Sequence, residues 1–319
     1  MDIKVSVIIP VFNGEKTIKR CINSVLNQTL REIEVIAVND GSNDNTLGIL
    51  KSYNDERLKI ITVQNGGQGM ARNKGLEIAK GEYVGFVDAD DTINELMYET
   101  MYKKAALTNA DMVQCAINDI KYDIIHKRPN ISDEFVVITD SREYVRKYFY
   151  ELKHTNEVCN KIFKMQFLKN NEVTFGDTKL IYSEDLKFNI DILERLNRVC
   201  YVSTPFYNYY ISNSGHCKKS PEERVLKIFR LYEEAIENIE DNIIKRGVES
   251  TALITLLSYC VPVINSQSAK KVVMSGKVRR YMFSSLLYKK TLRHSALMLA
   301  LIICPWFIKH KIILHQYSF

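Results

Sequence analysis

The chain has 319 residues, 46% hydrophobic and 26% charged, a composition that excludes disorder and leaves room for one large domain with an appendage. Its seven cysteines are odd in number and form no CxxC pair, which argues against a zinc knuckle or a disulfide framework and for a reducing compartment. The net charge of +6 is uneven: all 38 Asp and Glu lie at or before Glu249, while ten of the 44 Lys and Arg follow it, so body and tail are expected to meet different partners.

The opening "MDIKVSVIIPVF" lacks a basic leader and a long apolar run, and reads as a strand rather than a signal peptide. A helix over 15–27 follows, with Ile18, Ile22, Val25 and Leu26 on one face, then strand "EVIAV", a helix near 44–53, strand "LKIITV", a helix near 69–79 and strand "YVGFV". Continuous apolar strands alternating with helices predict a parallel sheet covered on both faces, with ligands at the carboxyl ends of the strands. Polar clusters fall there: "NGE", "NDGSNDNT" and "DADD". Beyond residue 130 the pattern is mixed, with a helix near 140–150, "NKIF", a helix in "SEDLKFNIDILERL", and two strands, "RVCYV" and "FYNYYI". Residues 222–319 read as mostly helical, without repeats.

Asp88, Asp90 and Asp91 crowd three carboxylates at the mouth of one strand, which repulsion disfavours unless a cation answers them. Part of the crowding has a plainer explanation if Asp91 and Thr92 cap a helix beginning near Asn94. "GGQGMARNKG" places glycines before a helix, where backbone amides can approach phosphate, and Arg72 offers a fork that matches phosphate oxygens.

Taken in order, "VSVIIPVFNGEKTIKRCINSVLNQT", "EVIAVNDGSNDNT", "NGGQGMARNKGLEIAKGEYVGFVDADD" and "YSEDLKF" closely resemble the family 2 glycosyltransferases over residues 3–215. The resemblance implies a GT-A fold, with a Rossmann-like mixed α/β sheet, over residues 1–220, and leaves 221–319 as a basic helical extension. It implies inverting transfer from a nucleotide-diphosphate sugar, with UDP expected, to a hydroxyl of a glycan or lipid-linked acceptor in cell-surface polysaccharide synthesis. By the same resemblance Pro10, Val11, Phe12, Glu15 and Asp40 hold base and ribose, with Phe12 standing where a Tyr is commoner. Arg72 faces the pyrophosphate, and Asp88-Ala89-Asp90 is the DxD motif. Asp90 is the first ligand of Mn²⁺ or Mg²⁺ and Asp88 a ribose or shared ligand. In "SED", Asp185 is the general base beside Glu184. Lys161 matches a basic donor-side position, and His216 a third metal ligand of some GT-A enzymes.

"DADDTI" also satisfies the DxDxT of haloacid-dehalogenase-like phosphatases, but that family carries it on the first strand and needs a later pattern that "GDTKLIYSED" does not match. An inactive GT-A scaffold would need neither the metal acids nor the base. Nucleic acid is not expected as a partner. The run "SALMLALIICPWFI", residues 295–308, reaches only about 21 Å as a helix, too short for a hydrocarbon core of roughly 30 Å. Its flanking cations and Trp306 suit a helix lying at an anionic membrane surface, so peripheral attachment to the cytoplasmic face is expected through residues 270–319.

Overall fold

The computed structural model describes residues 2–122, 124–127, 136–138, 140–145, 156–178, 183–211, 221–260, 266–273, 275–278 and 280–281. It divides into two compact units, Met1–Ser141 with Thr155–Gly215, and Arg142–His154 with His216–Phe319.

The first unit begins β1 (Val5–Val11), α1 (Ile18–Leu26), β2 (Ile33–Asn39), α2 (Thr46–Lys51), β3 (Leu58–Thr62), α3 (Gln68–Ile78) and β4 (Tyr83–Phe86). Every residue of β1, β2 and β4 is buried, which is why these strands read as unbroken apolar runs rather than alternating ones. α1 buries Ile18, Cys21, Ile22, Val25 and Leu26, one stripe at helical spacing. α3 lies close on β1, since a Cβ at Gly75 would come within 2.5 Å of Ile8.

The unit continues with β5 (Thr92–Ile93), α4 (Met97–Thr108), β6 (Met112–Lys121), β7 (Ile124–Lys127) and β8 (Val136–Ile138), and, after the short α5 (Ser141–Tyr144) that beyond Ser141 belongs to the second unit, with β9 (Lys161–Lys164), α6 (Met165–Asn170), α7 (Glu184–Ile192) with one 3₁₀ turn after it, and β10 (Val199–Tyr210). Among the described residues the sheet has ten strands in the order β3-β2-β1-β4-β9-β6-β10-β5, with β7 on β6 and β8 on β10. It is parallel from β3 to β4, as the alternation implied, and becomes mixed where β9 runs antiparallel between β4 and β6.

Three local expectations change. The two strands expected around Pro205 are one strand, β10, whose register on β6 shifts on either side of Pro205, a position where a missing N–H is tolerated. β5 and β6 were not read from the pattern. The helix after "DADDTI" starts at Met97 with no side-chain cap, so capping does not account for Asp91 or Thr92.

In the second unit, α8 (Pro221–Glu237), α9 (Asn242–Cys260) and α10 (Gln267–Val273) follow one another. α8 buries Val225, Ile228, Leu231, Tyr232 and Ile236, and α9 buries Ile244, Val248, Ala252, Leu253 and Leu256. Each such aliphatic contributes roughly 1.5–3 kcal/mol when fully buried. Lys277 pairs with Glu233 and Glu237, and Arg280 with Glu249. These two tail cations are therefore engaged within the helical unit. Among the described residues no helix is long and apolar enough to cross a membrane. The run 295–308 lies outside the described residues.

Candidate active site

β1, β2 and β4 end side by side, and the segments that leave them build the site. After β1, Phe12 is 48% exposed, while Pro10 and Val11 are buried in the strand. The next residues are stitched to the loop after β2. Asn13 donates its amide to Ser42 Oγ, Gly14 to Thr46 Oγ1, and Glu15 to Asp44 Oδ2, while Glu15 Oε2 accepts from the Asn45 amide. Phe12 is thereby held outward at the rim by its neighbours' bonds, a ring available for stacking.

Asp40, buried at the end of β2, accepts from the Gly66 amide at 2.8 Å and the Gly67 amide at 2.9 Å. Gly67 sits at φ 91°, a left-handed conformation that glycine adopts without strain. Gly69 donates its amide to Thr178 Oγ1 at 2.7 Å. The amides that the sequence offered to phosphate are thus bonded to side chains, and Asp40 fixes the glycine loop.

Arg72, on α3, the candidate for the pyrophosphate, is turned in toward the acids. It is 1% exposed, and its terminal nitrogens donate to Asp88 at 2.9 Å, Asp185 at 2.6 Å and Glu184 at 3.0 Å. The three negative neighbours keep the guanidinium protonated despite its burial. Its carbon lies 5.2 Å from the Phe175 ring centre, and Phe175 stacks on Phe188 of α7 at 4.3 Å. This aromatic layer, with Phe86 and Phe163, sets the start of α7 against the end of β4. One buried cation so joins Asp88 to both acids of "SED", 16 and more than 100 residues away along the chain.

Asp185, the second residue of α7, keeps a side chain 20% exposed, against 10% for Glu184. Burial pushes its carboxyl up to about 7, with Arg72 opposing and Glu184 and Asp88 adding repulsion. Its Oδ1 accepts from Arg72 and its Oδ2 from the Val158 amide at 3.4 Å, and a carboxylate raised in this way and still partly exposed can accept a proton from a hydroxyl.

The three crowded acids have separate fates. Asp91 is fully buried and turns into the fold, accepting from Tyr207 Oη at 2.7 Å and from the Tyr210 amide at 2.8 Å. Burial and the repulsion of Asp88 push it up to about 8. Asp88 accepts from Arg72 and from Gln68 Nε2 at 2.8 Å. Ala89 and Asp90 are half-buried at the rim. Among the described residues no group of three or more His, Cys, Asp or Glu is gathered as a metal cage. One or two carboxylates at an open rim fit Mg²⁺ or Mn²⁺ completed by diphosphate oxygens and water, and do not fit a structural zinc site.

Lys161, at the start of β9, is fully buried. It donates to the Glu157 carbonyl and to Asn160 Oδ1, and burial pushes it down to about 8. His216 lies outside the described residues. Gln68, Arg20, Tyr207 and Tyr210 were not singled out from the sequence; each is remote in the chain from the acid loop it touches, and no local pattern marks them.

The family model for glycosyl transferase family 2 matches residues 6–175. The chain is 28% identical over 253 residues to the uncharacterized glycosyltransferase YibD of Escherichia coli K12, covering 75% of this chain and 73% of YibD. It is 33% identical over 219 residues to the poly(ribitol-phosphate) beta-N-acetylglucosaminyltransferase TarP of Staphylococcus aureus N315, covering 65% and 62% of the two chains. The crystal structure of S. aureus TarS 1-349 in complex with UDP-GlcNAc superposes with a TM-score of 0.69 at 22% identity, covering 99% of this chain and 93% of that one. The mixed sheet is thus the GT-A fold of TarS, and the chain belongs to glycosyl transferase family 2.

Proposed function

We propose that the protein transfers a sugar from a UDP-sugar, with inversion at C1, to a hydroxyl of a cell-surface polymer, on the cytoplasmic side of the membrane. The observation that carries this reading is the Arg72 bridge, which puts a donor-side acid and a carboxylate raised to about 7 on one guanidinium. TarS crystallised with UDP-GlcNAc and TarP named for poly(ribitol phosphate) support the donor and acceptor classes.

In this reading Phe12 stacks on the base, and the loops knit around Glu15 and Asp40 shape the nucleoside end. The acceptor oxygen forms a bond to C1 while the bond from C1 to the diphosphate oxygen breaks and its electron pair leaves with UDP. Asp185 takes the hydroxyl proton, oriented by Arg72, and no covalent sugar intermediate is needed. Asp90 and Asp88 would hold Mn²⁺ or Mg²⁺, which supplies Lewis-acid stabilisation of the departing diphosphate.

Calorimetric titration with UDP tests the reading. Wild type is expected to bind weakly without Mn²⁺ and markedly tighter with it, and Asp90→Ala to lose the enhancement. Equal affinity in both conditions for wild type would contradict it.

A further inference from the structure

The last residues of β10 reach back to the acid loop from one side, and α1 reaches it from the other. Arg20, exposed on α1, lies with its guanidinium carbon 3.7 Å from the centre of the Tyr210 ring and donates from Nη2 to the Asp90 carbonyl. The Tyr210 amide donates to Asp91 Oδ1 at 2.8 Å, and Tyr207 donates its hydroxyl to Asp91 Oδ2 at 2.7 Å. The same Tyr207 oxygen accepts from the Asp88 amide at 3.2 Å. Cys21, one residue after Arg20, donates to the Asp88 carbonyl at 3.4 Å. Below the loop, β5 is held by β10 through Tyr207–Ile93 and Asn208–Thr92 pairing, and by the Ser24 hydroxyl accepting from the Ile93 amide.

Backbone groups of Asp88 and Asp90 and the side chain of Asp91 are all bonded to α1 or β10. The Asp88 carboxyl is held in addition by Arg72 and Gln68, and the anchorage sets where the loop carries Asp90 beside it. We infer that Arg20 and Tyr210 are positioning residues, a stacked clamp that fixes the Asp88–Asp91 loop from which Asp90, with Asp88, would hold one divalent cation. This rests on the proposed metal-assisted reading.

An arginine stacked on an aromatic ring suits this task, because its planar face packs while its N–H groups still donate along the edge. A loop held by backbone bonds alone keeps its fold but loses precision of aim, and metal affinity is sensitive to the groups that orient the ligands, with losses of about 10–100-fold on removing one. The clamp should therefore show in metal binding before it shows in folding.

The test measures UDP affinity by calorimetry across a Mn²⁺ series, with thermal melting beside it, for wild type, Arg20→Ala, Tyr210→Leu and Tyr210→Phe. Arg20→Ala and Tyr210→Leu are expected to raise the Mn²⁺ concentration for half-maximal enhancement by about 10-fold or more, with metal-free UDP affinity and melting temperature unchanged. Tyr210→Phe, which keeps the ring and the amide, should match wild type. If Arg20→Ala and Tyr210→Leu respond to Mn²⁺ as wild type does, the clamp is overturned and the metal reading stands. If metal-free affinity falls as far as the metal-bound affinity, the residues act on the nucleotide or the fold and the clamp is again overturned. If wild type shows no Mn²⁺ enhancement, both readings fall together.

Discussion

Arg72 holds three carboxylates in one place, and its charge can be separated from its shape. Arg72→Met leaves buried acids uncompensated and is expected to cost about 3–5 kcal/mol in urea unfolding, the range for breaking a buried pair from one side. Arg72→Lys keeps a charge but cannot reach Asp88 and Asp185 together, so it should retain more of the fold while losing transfer. At the other end of the bridge, Asp185→Asn is expected to keep donor binding and lose transfer by on the order of 100-fold or more, with Glu184→Gln hurt less. A reversed order in single-turnover kinetics would move the base to Glu184. The pH dependence follows from the same group. Asp185, raised to about 7, must be deprotonated to accept a proton, so transfer should fall as pH drops below 7 and level off above it. A rate independent of pH between 5 and 8 would contradict the assignment.

At the scale of elements, what was legible in the sequence was what is local. β1 to β4 and the helices between them were readable because buried parallel strands leave uninterrupted apolar runs. β6 was not, since the buried Gln114 and Asn118 interrupt its apolar pattern, and Pro205 disguised β10 as two strands. "DADD" and "SED" were legible as acids at element ends, but the part played by Arg72 was not, because its partners fold back from residues 184 and 185. The glycine loop shows the same limit: its composition pointed to phosphate, and the structure gives its amides to Asp40 and Thr178. Gly69 is required for packing. A Cβ there would lie 2.3 Å from the Gly176 carbonyl, pushing α3 away from the segment that carries Phe175. Gly69→Ala is expected to lower stability by about 1–3 kcal/mol, the usual cost of overpacking. An unchanged urea midpoint would show that the 175–178 segment yields freely.

Across the whole molecule the sign of charge changes partway along the chain, and the structure assigns part of the basic excess. Lys277 and Arg280 are tied to Glu233, Glu237 and Glu249, so a truncation at residue 270 would cut into the helical unit. Removing 282–319 is the cleaner test of the expected membrane attachment. That variant should lose sedimentation with anionic vesicles while keeping UDP binding, and full-length attachment should weaken with salt. Equal sedimentation of both forms would place attachment elsewhere.

Inverting transfer from a UDP-sugar, with Asp185 as base, fixes which anomer is released. In the absence of acceptor, water can take the acceptor's place, so proton NMR of sugar released from a panel of α-linked UDP-sugars with Mn²⁺, read before the free sugar equilibrates, tests it most directly. With inversion the β-anomer is expected to appear first and Asp185→Asn to abolish its release; first appearance of the α-anomer would overturn inversion.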